Sequence, residues 1–405
     1  MYTFPLRRAV PAALSMLLAL ALLASCGGGV DSGGTGGAVA VGPISGFGSI
    51  IVNGVRFDVS GPTLQIQDDA GNARTQVDLK LGTMTEVDGS SLAVNAGVTT
   101  ATATSIRIVS DLVGPVGTVD TAAGTLSVVG QTVVVTPATV FDASVAGNLG
   151  GLSGIAPGAV VEVNGRYDAQ ARRYTATRIG LPIDAASYKL RGPVGALDTN
   201  ALTLTVGGQT ISYAQLGAAS VANLAPDSIV RARLQIALQG GVWVAVALQA
   251  GALALPDRQV AQVEGRVSAL TSTRRFSVEG IPVDASGASY TGSEAGVVLG
   301  ARVEVEGASS GGVLVAQVVK VEGDENEANT SFELNGPIDT IAPPPATTFT
   351  LRGVELSGLT VNYAAAVFDS GGAAGLAVGQ RVKVEGVLSS DGVRIDARKI
   401  SFEGG

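Results

Sequence analysis

The sequence predicts an all-β chain of five small tandem barrels behind an export signal and a flexible tether, and three observations carry that prediction. The chain is 46% hydrophobic, most of it Val, Ile, Leu and Ala, with only 4% aromatic residues, which suits half-buried strands. Glycine supplies 56 of 405 residues, a turn-rich composition. A glycine-punctuated ladder of apolar residues then recurs five times in register.

Residues 1–25 read as a lipoprotein signal peptide. Arg7 and Arg8 form its charged start and Ala12–Leu22 its apolar core, too short for a permanent membrane span. The core ends in Leu23, Ala24, Ser25 and Cys26, which resembles the bacterial lipobox. Cys26, the only cysteine, is therefore expected to carry the lipid; a plain signal peptide and a buried free thiol are the alternatives. Gly27, where an Asp would retain the protein at the inner membrane of enteric bacteria, points by resemblance to the outer membrane. Residues 26–40 form the lipidated cysteine and its tether, in which Gly27–Gly37 is too glycine-rich to bury a core and reaches on the order of 20 Å.

The units span 41–110, 114–181, 190–251, 259–323 and 332–405. Each opens on a glycine, Gly42, Gly114, Gly192, Gly265 or Gly336, spaced by 72, 78, 73 and 71 residues. A second glycine follows in each: Gly54, Gly130, Gly208, Gly280 and Gly353. Four places before it stand Ile50, Leu126, Leu204, Phe276 and Phe349; three places after it stand Phe57, Val133, Ile211, Val283 and Leu356. That spacing predicts a hairpin with one face on a core. Next comes a strand ending in glycine, as in Val161-Glu162-Val163-Asn164-Gly165, Val303–Gly307 and Val382–Gly386, read as strand and turn; unit three replaces it with Val230–Leu238. Each unit closes on a strand carrying Ala103, Ala176, Ala245, Ala316 or Ala397.

About five strands in 70 residues, with one or two helical turns before the fourth, fit a small barrel of OB type or a small sandwich. Taken together, the Gly-Pro-x opening, the Val-x-Gly-x-x-Val hairpin and the Gly-x-x-Val-Glu-Val-x-Gly strand resemble the bacterial family catalogued as domain of unknown function 5666. The resemblance covers most of Gly42–Gly405, with unit three the poorest match. It implies repeated β-modules on an exported protein and transfers no catalytic residue.

The chain has no histidine, which removes the usual general base and the commonest metal ligand. Net charge is -8, and loss of Arg7 and Arg8 leaves 24 basic against 34 acidic residues, a balance that disfavours nucleic acid as a partner. A Ser-Lys pair is conceivable, but lysines are few and none lies in a Ser-x-x-Lys motif. Paired carboxylates could assemble a glycosidase site, but Glu162 and Glu304 alternate with valines and are expected on a solvated outer face, where unit five has Lys383. The acidic clusters Asp68-Asp69 and Asp324–Glu327 lack calcium-loop spacing and read as a hairpin turn and a linker. Arg172-Arg173-Tyr174 and Arg274-Arg275-Phe276 read as hairpin charge, and Trp243 as a core or inter-unit residue. The expectation is a non-enzymatic lipoprotein without cofactor or catalytic residue. It is lipid-anchored at the outer membrane and serves as a β-repeat spacer or binding array for an envelope polysaccharide or protein. A carbohydrate-active enzyme and an OB-type oligonucleotide or oligosaccharide binder are the alternatives.

Overall fold

The computed structural model describes residues 37–95, 97–142, 150–250, 255–322, 330–353 and 359–403. Leu23, Ala24, Ser25 and Cys26 lie outside the described residues, as does the acidic stretch Asp324–Glu327. The described chain is all β, with single 3-10 turns such as Gln76–Asp78 and Ala218–Val221 in place of helices.

The described residues form five barrels, and each is closed. Their opening strands are Ala38–Phe47, Leu112–Asp120, Tyr188–Asp198, Arg258–Ser272 and Phe332–Ile341. In the first module the opening strand pairs antiparallel with Ile50–Val52, which pairs with Val55–Asp58. That third strand runs parallel to the closing strand Val98–Ile108, which pairs antiparallel with the fourth, Met84–Gly89; the fourth returns to the opening strand. The other four modules repeat this circuit, which is the strand order of an OB barrel rather than a sandwich. In each, the first half of the opening strand pairs with the fourth strand and the second half with the second, the latter pairing carrying a register shift.

Four of the hairpin glycines adopt left-handed backbone. Gly54, Gly130, Gly208 and Gly280 have φ of 76°, 73°, 81° and 86°, and the residues before them, Asn53, Val129, Gly207 and Glu279, are also left-handed. Two such residues make the tight turn that suits a twisted hairpin. Gly353 marks a bend that opens the stretch 354–358, which is not described. Phe349 pairs there with Val361, and Leu356 lies outside the described residues.

The glycines of the fourth strands are bulges and not turns, a correction to the sequence reading. Gly89, Gly165, Gly307 and Gly386 sit at register shifts against the closing strand, opposite Ala103, Ala176, Ala316 and Ala397. The strands of modules two, four and five continue past them, to Asp168, Ser310 and Leu388, and that of module one ends at Gly89. A Cβ on Gly307 would overlap the carbonyl oxygen of Val315. The third module keeps the bulge with Leu234 opposite Ala245.

The modules do not hang as beads. The free edge of the first opening strand pairs parallel with that of the fourth module, Ala38–Val41 with Val260–Val263. Its far end pairs with the fifth module through Gly46 and Phe47 on Glu333 and Leu334. Leu112 and Val113 of the second module pair with Leu190 and Lys189 of the third. Buried side chains accordingly form three clusters: modules one and five, modules two and three, and module four with Val39, Val41 and Met84. Trp243 is 8% exposed in the second of these, edge-on to Tyr188 with ring centroids 5.7 Å apart.

Gly307→Ala is expected to lower unfolding free energy by about 2 kcal/mol, since the new methyl has only backbone to push against. Gly287→Ala, at a site with nothing within 4 Å, should stay within ~0.5 kcal/mol. Urea melts of the two variants against the parent chain check both.

Candidate functional site: the charged junction between modules

The chemistry-bearing residues collect where modules meet, and the opening glycines explain how they arrive there. A Cβ on Gly42, Gly114 or Gly265 would run into Asn53, Val129 or Glu279 of the same module's hairpin turn. The turn residue therefore folds back over the opening strand and projects toward the neighbouring modules. Asn53 donates from Nδ2 to Val41 O at 3.0 Å and to Gln262 O of the fourth module at 3.4 Å. Glu279 reaches Arg191 of the third module, with Oε2 to Nη1 at 3.2 Å.

Arg191 is the centre of one network. Its Nη1 also lies 3.0 Å from Asp111 Oδ1, its Nη2 donates to Glu279 O at 2.9 Å, and its backbone N–H donates to Asp111 O at 3.0 Å. Asp111 stands between the closing strand of module one and the opening strand of module two. Its Oδ2 accepts the Gly165 N–H at 3.1 Å and its N–H donates to Val163 O at 3.0 Å. Burial drives the Asp111 carboxyl up to about 6, opposed by Arg191, assisted by Glu279, and opposed again by the Gly165 amide. Burial works against the charge on Arg191, but Asp111 and Glu279 outweigh it and raise its pKa.

A second network joins modules two and four. Arg166 and Arg302 both reach Glu264 Oε1 at 2.6 Å, and Arg302 also meets Glu322 at 3.0 Å. Burial penalises Glu264, yet the two guanidinium groups overcome that and hold its pKa below the usual range. Arg166, Glu264 and Arg302 line a cavity of about 70 Å3 together with residues of modules one and five. Elsewhere Arg258 pairs with Asp88 and Arg56 with Glu333, binding module one to four and to five.

The residues singled out from sequence are dispersed around these networks. Glu162 is on the outer face of its strand but buried, not solvated, because the following linker covers it and Ile183 N–H donates to its Oε2 at 3.1 Å. Glu304 pairs with Lys320 at 3.2 Å, and Lys383 with Glu333 at 3.1 Å and Glu385 at 2.9 Å. Asp68 closes its own hairpin turn through the Ala70 and Asn72 amides, and Asp69 pairs with Lys189 at 2.6 Å. Tyr174 and Phe276 are core residues, whereas Arg172, Arg173, Arg274 and Arg275 are exposed. Asp111, Arg191, Glu264 and Glu279 were missed. One signal was available, since Arg191 and Glu264 occupy the position before the opening glycine where modules one and two carry Val41 and Val113.

The outer faces of the hairpins, where an OB barrel carries its ligand, are hydroxyl-lined in three modules: Ser127 and Thr132 in the second, Thr205 and Thr210 in the third, Thr350 and Thr360 in the fifth. They lack the aromatic and basic residues that hold single strands. A cleft of about 290 Å3 lies between modules one and five, lined by Ser49, Ser60, Gln76, Asn335, Arg352 and Arg381 among others. Among the described residues no helix is long and apolar enough to cross a membrane, which says nothing of strands.

The profile of the family described as Domain of unknown function (DUF5666) matches residues 37–106, 113–180, 264–320 and 335–401. The third barrel lies outside these matches although its strands follow the same circuit. No curated protein matches the chain.

Arg191→Met is expected to cost about 3–5 kcal/mol at neutral pH, because it leaves Asp111 and Glu279 buried without their cation. Equilibrium denaturation read by tryptophan fluorescence from Trp243 measures it.

Proposed function

The chain belongs to the DUF5666 family, and from that premise we propose that it is a non-enzymatic lipoprotein of the bacterial outer membrane. In this reading its five barrels form one rigid platform for an envelope polysaccharide or protein. The observation that carries this reading is the pairing of opening-strand edges between modules, 1 with 4, 1 with 5 and 2 with 3, together with the ion pairs Arg166–Glu264 and Arg191–Glu279 that link modules two and three to module four. Edge pairing removes the freedom that an extended spacer needs and favours a fixed array of faces. Lipidation rests on Leu23, Ala24, Ser25 and Cys26, and attachment through several acyl chains is firm without any spanning segment.

A second reading, binding of an oligosaccharide in the manner of OB barrels, is favoured by the cleft between modules one and five. Its polar lining and its volume suit a short glycan, and the hydroxyl-lined faces suit a neutral polar ligand better than a phosphate backbone.

Labelling of cells with an alkyne fatty acid, followed by membrane fractionation, tests the anchor. The intact chain should take up label and sediment with the outer membrane, and Cys26→Ala should be unlabelled and released. Label persisting on Cys26→Ala, or an unlabelled intact chain, would overturn it.

A further inference from the structure

Two carboxylates share Arg191, and the group they form is cut off from water. Asp111, Arg191 and Glu279 are 2%, 4% and 5% exposed. Two acids against one guanidinium leave a surplus negative charge in a low-dielectric junction, and a proton relieves it at least cost. Among the described residues, Arg191 is the cation in direct contact with both carboxylates. Tyr174, from the closing strand of module two, is fully buried with no partner for its hydroxyl, and burial followed by Asp111 keeps it protonated well above its usual range. Arg266 gives its backbone N–H to Glu279 Oε1 at 3.0 Å, while its Nη1 donates to Gly300 O at 2.9 Å and its Nη2 faces Thr175 Oγ1 at 3.5 Å. Arg231 lies in register beside Arg191 and acts on Asp111 through space only. Beyond it, Arg107 is engaged by Glu86 at 3.1 Å and Asp69 by Lys189 at 2.6 Å.

We propose that Asp111, Arg191 and Glu279 form a proton-operated latch: one proton on the Asp111 carboxyl, which shares Arg191 with Glu279, closes the junction of modules two, three and four, and its loss loosens that junction. The latch is independent of the anchor and of any ligand. Its direction follows from burial. The Asp111 carboxyl is pushed from 3.8 up to about 6, so the folded chain binds the proton more tightly than the unfolded chain does. Stability from this group is complete below the unfolded value and is lost as pH rises through about 6. The junction therefore tightens on mild acidification. Carboxylates held low by partners, such as Glu264 and Asp391, lose their contribution only at lower pH.

The test is amide hydrogen exchange of the full chain by mass spectrometry between pH 5 and 7.5, corrected for intrinsic rates. Peptides covering Asp111 and Gly165 and the turn at Glu279 should lose protection by about tenfold as pH rises, as one linked proton requires. Strand Arg381–Leu388 of module five should not change. Asp111→Asn should flatten the dependence, and Glu279→Gln, which keeps the turn, should do the same if the first variant does not fold. Protection at the junction that is flat or rises with pH in the parent chain would sink the latch.

Discussion

A closed barrel of this circuit leaves one backbone edge unpaired, and satisfying it organises the molecule. The first half of each opening strand bonds the fourth strand on one side, while the second strand engages only its later half. The remaining edge presents N–H and C=O groups that are costly to bury unmet and prone to stray pairing if exposed. All five opening strands use it against another module: the first with the fourth and fifth, the second with the third. Five units, each too small to bury a large core of its own, are thereby gathered into two sheets, modules one, four and five in one and two and three in the other, and the ion pairs Arg166–Glu264 and Arg191–Glu279 link the two sets.

Edges this alike need a means of telling partners apart. The charged pairs at the junctions provide it, because each joins a different combination: Arg258 with Asp88, Arg56 with Glu333, Arg166 with Glu264, Arg191 with Glu279. A wrong pairing would bury one of these groups without its counter-charge, at a cost of several kcal/mol. Apolar contacts between valine-rich strands discriminate far less. The same charges are confined to junctions, while the outward hairpin faces of three modules carry hydroxyls.

Local pattern was legible in the sequence, and long-range meeting was not. The ladder of Ile50, Val52 and Phe57 and its four copies announced hairpins because period-two burial and a left-handed glycine are properties of neighbouring residues. Gly165 was read as a turn because a glycine ending an alternating run looks the same whether the chain reverses or bulges; only the partner Ala176 distinguishes them. Glu162 was assigned to solvent correctly for its own barrel and wrongly for the assembly, since the linker that covers it lies outside the strand pattern. Asp111 and Glu279 approach Arg191 from 80 and 88 residues away, a distance over which a single sequence carries no periodic signal.

The pairing of Ala38 with Val260 has a consequence for how the chain comes into being. Polypeptide emerges from its amino end, so Ala38–Val41 must wait for more than two hundred further residues before its outer flank finds a mate. Throughout that interval a run of alanine and valine stands open to any passing extended segment. Vectorial assembly of this molecule thus depends on whatever shields Ala38–Val41 until the fourth repeat arrives.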